Sequence, residues 1–309
     1  MVAVGEATGA GGEFAAIARI SRRFGPAPPG EQWIGDDAAV VRVGAGAVAI
    51  ATDAVVVGVH ADLRLTSLAD LGWKALAVNV SDLAAMGLAA ERAVVAVSAP
   101  PGTDVDALYD GVAEAAAAFG CPVVGGDLTE AAVLVVGVTV VADAAVSPPP
   151  VQRGGARPGD AIWVSGPLGA AAAALERLRA GERGGGRAHA RPEPRSAEGR
   201  AARELGATAM IDVSDGFGAD LGHVLDASGV GCELAGLPVA PGATREQALG
   251  GGEDFELVWC APAGVDMGAA FAGRGLRPPT RVGSCTADPA TRTLDGGPLA
   301  PAGWQHRVG

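Results

Sequence analysis

Five short apolar runs in this chain each lead to a carboxylate that sits beside glycine or a small polar residue. They are Trp33-Ile34 before Gly35-Asp36-Asp37, Val48 to Ala51 before Thr52-Asp53, and Ala77-Val78 with Val80 around Asn79 and Ser81-Asp82. The fourth is Val123-Val124 before Gly125-Gly126-Asp127, and the fifth is Met210-Ile211 before Asp212-Val213-Ser214-Asp215-Gly216. An apolar run that ends in Asp is a strand or buried helix carrying negative charge to the edge of a core. If five such ends meet, their repulsion has to be offset, and the usual offset is a divalent cation with hard oxygen ligands. The pattern therefore reads as a magnesium-dependent enzyme acting on phosphates.

The cation argument matters because the chain is short of its own positive charge. Net charge is −12 and there is a single lysine, Lys74. That balance argues against nucleic acid or an anionic membrane surface as partner. A Walker A loop needs Gly-Lys-Ser/Thr and a protein kinase needs a strand lysine, whereas Lys74 follows Trp73 inside a helical pattern, so both are excluded. No Gly-x-Gly-x-x-Gly follows the first strand of either half. Phosphate chemistry would rest on metals, arginines and backbone N–H groups. The cysteines (Cys121, Cys232, Cys260, Cys285) are widely spaced and read as free buried thiols in a reducing cytoplasm. Met1 to Gly12 lacks the features of a signal peptide, and no segment is long and apolar enough to span a membrane, so a cytoplasmic protein is expected.

Periodicity predicts alternating strands and helices in both halves. A helix is expected over Glu13 to Phe24, then strands at Ala38–Val43 and Val48–Ala51. Ser67-x-x-Asp70 opens a helix that stops at Gly87, and Thr103-x-x-Asp106 caps another over Val105 to Phe119. Strands are expected over Arg92–Ser98, Val123–Val124 and Val133–Val141. Ser147-Pro148-Pro149-Pro150 precludes helix and central strand and divides the chain into domains 1–146 and 147–309. The second half reads as a strand at Ala161–Ser165, an Ala-rich helix to Arg179, a long loop over 181–196, a helix over Ala197–Leu205, a strand into Asp212 and a helix over Ala219 to Ser228. Strands near 232–234 and 255–260 follow. The fold class is α/β (α+β): an N-terminal mixed sheet with helices on one face, then a C-terminal α/β domain.

Several residues admit two readings. Asp82 on a helix is ordinarily part of a solvated stripe, but its neighbours Ala77, Val78, Val80 and Leu83 are apolar on nearly every side, and an unpaired buried carboxylate is costly. Asp212, Ser214 and Asp215 fit an N-cap cluster and equally a phosphate-binding helix start with Gly216 and Gly218. His60 ends a β-like run, where a histidine is more often structural, and Gly250-Gly251-Gly252-Glu253-Asp254-Phe255-Glu256 reads as a hairpin.

Taken in order, Gly12-Glu13-Phe14, Gly35-Asp36-Asp37-Ala38, Thr52-Asp53, Gly58-Val59-His60, Lys74 to Asn79, Ser81-Asp82-Leu83-Ala84-Ala85-Met86-Gly87, Gly125-Gly126-Asp127, Asp212 to Gly216 and Gly251 to Leu257 resemble the thiamine-monophosphate kinases. That family lies in the superfamily of aminoimidazole ribonucleotide synthetase and selenophosphate synthetase. The resemblance spans residues 12 to 306. It implies ATP-dependent phosphorylation of thiamine monophosphate to thiamine diphosphate, with several Mg2+ ions held by Asp36, Thr52, Asp53, Asp82, Asp127 and Asp212, and Asp215 on a further one. It implies ATP contacts from Tyr109, Gly126, Asp127, Arg153 and Ser214. His60, Glu253 and Trp304 would face thiamine phosphate, and dimerisation through the first domain is implied as well. The chain departs from the family's pattern at Val57, Ala61 and Leu128-Thr129-Glu130, which bears on substrate packing and one basic contact. A selenophosphate synthetase is disfavoured, because nothing before Asp36 supplies its Cys and Lys. A kinase or synthetase with another small acceptor, and a non-catalytic module binding nucleotide and metal, stay open as alternatives.

The implied nucleophile is a phosphate oxygen, ionised near neutral pH because a phosphate monoester's second pKa is about 6. No general base is then needed. Two unit charges about 4 Å apart repel by roughly 4 kcal/mol at an effective dielectric near 20, so neutralisation and in-line positioning become the work of the site.

Overall fold

A computed structural model describes residues 26–182 and 186–304, with residues 17 and 20–24 before them. Most of the helix expected over Glu13 to Phe24, and Gln305 and His306 at the other end, lie outside the described residues.

The first half forms a five-stranded sheet in the order β1-β2-β5-β3-β4. The strands are β1 (Ala39–Val43), β2 (Gly46–Val56), β3 (Arg92–Ala99), β4 (Val123–Glu130) and β5 (Val135–Asp143). Only β3 and β4 run parallel, so the sheet is mixed, as the sequence predicts. Along β3, Ala93, Val95 and Val97 are buried while Arg92, Val94 and Ala96 are exposed, the alternation of a sheet covered on one face. The cover is helix α1 (Leu68–Ala85), backed by α2 (Val105–Phe119). These helices approach closely because glycines face each other: a Cβ on Gly72 would meet the Leu108 carbonyl at 2.1 Å, and one on Gly111 the Ala69 carbonyl at 1.7 Å.

Helix α1 starts at a capping box in which Ser67 Oγ accepts from Asp70 N while the Asp70 carboxylate accepts from Ser67 N. It is buried from Leu71 to Ala85 except at Asp82. A helix apolar all round must be surrounded, and α1 touches β2 and β5 of the first sheet and β7 (Ala209–Asp212) of the second. Asp82 near its end is thus aimed between the two halves.

The second sheet has seven strands, in the order β12-β11-β8-β10-β6-β9-β7. Besides β7 these are β6 (Ala161–Val164), β8 (Gly231–Leu234), β9 (Leu257–Ala261), β10 (Thr280–Thr286), β11 (Arg292–Leu294) and β12 (Gly297–Pro298). One apolar cluster joins Ile162, Ile211, Phe217 and Leu221, and another joins Met210, Trp259 and Phe271. Successive residues of one strand, Met210 and Ile211, thus feed opposite cores, so both sheet faces are covered. The helices are α3 (Ala170–Arg179), α4 (Arg187–Ala190), α5 (Ser196–Glu204), α6 (Phe217–Ser228), α7 (Arg245–Gly250) and α8 (Met267–Ala272).

Some expectations need correction. The segment 181–196 is not all loop, since α4 lies within it. Asp104 rather than Thr103 caps α2: its carboxylate accepts from Ala107 N at 3.0 Å, while the Thr103 hydroxyl turns back to the Pro100 carbonyl. Gly125-Gly126-Asp127 does not end a strand but lies inside β4. Residues 251–256 form no hairpin; they run from α7 directly into β9. Beyond residue 260 the sequence pattern predicts no element, yet α8 and three strands occur there.

Candidate active site

Asp37, Asp82 and Asp212 each bring a carboxylate oxygen within 4.8 Å of the others. They come from the segment before β1, from α1 and from the end of β7. At that spacing each pair of full charges would repel by about 3 kcal/mol at an effective dielectric near 20. Burial, then Asp37, pushes the Asp212 carboxyl up to about 7, and burial, then Asp53 and Asp212, pushes Asp82 well above the carboxylate range. Asp36, raised to about 6 by burial and by Asp37, accepts from Arg153 N and from Asp37 N.

The neighbours orient this cluster without neutralising it. Ser81 Oγ donates to Asp212 Oδ2 at 2.5 Å, and Asn79 Oδ1 accepts from Asp53 N at 2.7 Å, so one turn of α1 fixes two carboxylate-bearing strands. Arg153 Nη2 donates to Asp37 Oδ1 at 2.6 Å. Burial alone would lower the Arg153 pKa, but Asp37, Asp36 and Asp212 raise it above its ordinary value. Asp37 Oδ2 is buried with no hydrogen-bond partner among the described residues. Three converging carboxylates, one of them with an orphaned oxygen, make a set of hard oxygen donors, and they fit magnesium or a cation like it.

Beyond Asp212 the chain turns through Val213 to Gly216 into α6. Gly216 has φ 131°, and a Cβ there would meet the Gly250 carbonyl carbon at 2.9 Å. Asp220 holds this turn by accepting from Asp215 N and Gly216 N at 3.1 and 3.0 Å. On its outer side, Ser214 O accepts from Glu253 N at 2.7 Å and Asp215 O accepts from Trp304 N at 2.9 Å. Glu253 and Phe255 both hold left-handed backbones, with φ 67° and 50°.

The Glu253 carboxylate faces Lys74 Nζ on one oxygen and His189 Nδ1, at 2.9 Å, on the other. Burial would raise its pKa, but the His189 hydrogen bond and the Lys74 charge outweigh it and set the group at about 2. Lys74 Nζ also donates to the His60 carbonyl at 3.1 Å, and His60 Nδ1 accepts from Val56 N.

Of the residues singled out in the sequence, Asp82 and Asp212 meet, Asp36 and Asp53 adjoin them, and Ser214, Asp215, Glu253 and Trp304 are joined through the turn after β7. Thr52 is not brought in by its side chain: strand alternation points it to the open face, where its hydroxyl meets Val138 O and Thr139 Oγ1. Asp127 and Gly126 lie on exposed β4, and Thr129 Oγ1 donates to Asp127. Asp127 shares a row with Ala96, Gly137 and Ala54, which places it three strand spacings, roughly 14 Å, from β2. Tyr109 is half-buried against the first core, and burial raises its pKa. Sequence reasoning missed Asp37 as a cluster member. The Asp36-Asp37 doublet was the signal, but which of two adjacent acids turns inward depends on the Arg153 contact, made from 116 residues away.

The first half and its carboxylates define a class: residues 35–144 match the AIR synthase related protein, N-terminal domain. Over 299 residues the chain is 38% identical to the thiamine-monophosphate kinase of Mycobacterium tuberculosis, covering 88% of this chain and 87% of that one. It is 36% identical to that of Salmonella typhimurium, covering 90% and 91%. A solved structure described as AaThiL complexed with AMPPCP and TMP superposes with a TM-score of 0.84 at 30% identity, covering 98% of this chain and all of that one. The chain belongs to the thiamine-monophosphate kinase family.

Proposed function

We propose that this chain transfers the γ-phosphoryl group of ATP to thiamine monophosphate, giving thiamine diphosphate. The observation that carries the reading is the convergence of Asp37, Asp82 and Asp212, with Asp37 Oδ2 left without a hydrogen-bond partner among the described residues, in a chain with one lysine. The named relatives and the AMPPCP- and TMP-bound relative support the substrates.

In this reading Asp37, Asp82 and Asp212 would hold magnesium, with Asp36, Asp53 and Asp215 close enough in the fold to serve further ions. Bound cations would neutralise phosphate charge that this acidic chain cannot meet itself. Arg153 orients Asp36 and Asp37, and Ser81 orients Asp212. The acceptor phosphate is ionised near neutral pH, so the residues' work is to hold two phosphates in line and exclude water. The half-exposed turn 214–215 and the Trp304 ring, 55% exposed, offer the open wall for the acceptor. Gly126, Asp127 and Tyr109 stay assigned to ATP by the resemblance alone.

Domains 1–146 and 147–309 are proposed as the units, meeting at Ser147-Pro148. A homodimer through the open face of the first sheet is proposed too, since Ile50 and Val94 are exposed there. Among the described residues no helix is long and apolar enough to cross a membrane, and a cytoplasmic location is proposed.

The test is incubation with ATP, Mg2+ and thiamine monophosphate, following thiamine diphosphate by chromatography. ATP turnover only with another acceptor would move the chain to a sibling activity, and nucleotide binding without turnover would make it a module.

A further inference from the structure

The sole lysine takes no part in the carboxylate cluster, and its surroundings assign it another task. Lys74 is 3% exposed in the middle of α1. Its ammonium bonds the His60 carbonyl in the turn after β2 and the Glu253 carboxylate in the segment before β9. These are two of the three residues that the family resemblance puts on the acceptor, and they come from different halves of the chain. The second oxygen of Glu253 takes His189 from α4. Ala61, Thr66, Asp70, Leu71 and Ala190 close around Lys74 and His189 and leave no volume for a water molecule.

The segment tied by His189 is anchored independently of it. Trp73 Nε1 donates to Pro192 O at 2.9 Å. The Arg191 guanidinium lies 5.3 Å from the centre of the Trp73 ring and pairs with Asp70 and Glu114. Helix α1 therefore holds the 189–192 segment through Asp70, one turn before the lysine that holds Glu253, and through Trp73, next to it.

We propose that Lys74, with His189, is a positioning residue for the acceptor side of the site. It fixes the distance between the His60 turn and the Glu253 segment, and through Glu253 N–H to Ser214 O it registers the turn that carries Asp215. Glu253 is locked by two partners, in a left-handed conformation that a side-chain residue adopts only when its surroundings demand it. Its charge is spent on Lys74, so it acts on the acceptor by placing the wall of the site and not by attracting the thiazolium cation. This inference rests on the proposed phosphorylation of thiamine monophosphate.

The test compares wild type, Lys74→Met, His189→Ala, His189→Gln and the double variant Lys74→Met/Glu253→Gln. Wild-type formation of thiamine diphosphate tests the functional reading by itself. Hydrogen exchange without substrate tests the positioning, whatever the acceptor proves to be. Lys74→Met should speed exchange at least tenfold at amides of both 57–61 and 251–256, leaving β3 and β5 unchanged. In turnover it should raise KM for thiamine monophosphate at least tenfold, with KM for ATP within about twofold. His189→Gln, which keeps an N–H donor, should recover most of what His189→Ala loses. The double variant, which removes the charge pair together, should exchange no faster than Lys74→Met. Unchanged exchange at either segment, or KM values for both substrates rising in step, would overturn the proposal.

Discussion

Two clusters of ionisable groups lie on either side of the turn after β7, and the chain treats them in opposite ways. Glu253 has Lys74 and His189, and nearby Glu256 is buried between Arg195 and Arg277 with Ser165 donating to it. Among the described residues, Asp37, Asp82 and Asp212 share the guanidinium of Arg153, already bonded to Asp37. Burial alone cannot explain the difference, because Glu256 and Asp212 are 4% and 2% exposed. A chain able to pair buried carboxylates so fully on one side leaves them in deficit on the other. A structural network is satisfied from within, while a binding site is completed from outside.

Substitution gives the sharpest way to break this contrast. Asp82→Asn or Asp212→Asn should cut turnover by about 10²–10³-fold, the scale of losing one electrostatic group in a preorganised site. The same variants should unfold at or above the wild-type temperature when metal is absent, because a repelling charge is gone. Steady-state kinetics and thermal melts with EDTA check both, and near-full activity at saturating magnesium would remove the cluster from the reaction.

Next in size is pH. A carboxyl whose folded pKa is raised binds protons in the folded state that the unfolded chain has lost, so stability falls as pH rises from the unfolded value to the folded one. Asp36 and Asp254, near 6, and Asp212, near 7, should make the metal-free chain less stable at pH 8 than at pH 5. Glu253 runs the other way: its stabilisation is complete above its unfolded value of 4.5 and is lost only as pH falls toward about 2. Magnesium at about 100 times its Kd should restore about 2.7 kcal/mol, and more of the effect should appear at pH 8. Melting curves from pH 5 to 8 with and without Mg2+ decide it; a flat metal-free profile would show that the cluster carries no strain.

The smallest effect belongs to the surface. Arg245 pairs with Asp295 where both are largely exposed. Arg245→Ala should shift unfolding free energy by less than about 1 kcal/mol, measured in urea, with activity untouched.

Much of the first half was legible in the sequence because its signals are local. Ser67-x-x-Asp70 is a capping box that four residues complete, and the valines of β3 alternate over one covered face. The run Ala77 to Ala85 gave away a buried helix, and with it an Asp82 that needed a partner. What was not legible depends on residues far apart in sequence. The choice of Asp37 over Asp36 needs Arg153, and the commitment of Glu253 needs Lys74 and His189. Strand β4 misled because two glycines before Asp127 look like a turn, whereas they continue an edge strand. Two- and three-residue strands such as β11 and β12 are too short to show a period.

The burial of Lys74 has a practical consequence for anyone who labels this chain. Amine-reactive dyes and crosslinkers find no accessible lysine side chain in the folded protein, since the only one is sealed under Glu253 and α4. Reaction at that amine requires α1 to part from the 251–256 segment. Its modification rate, read by peptide mass, is therefore a built-in clock for the opening of the two halves.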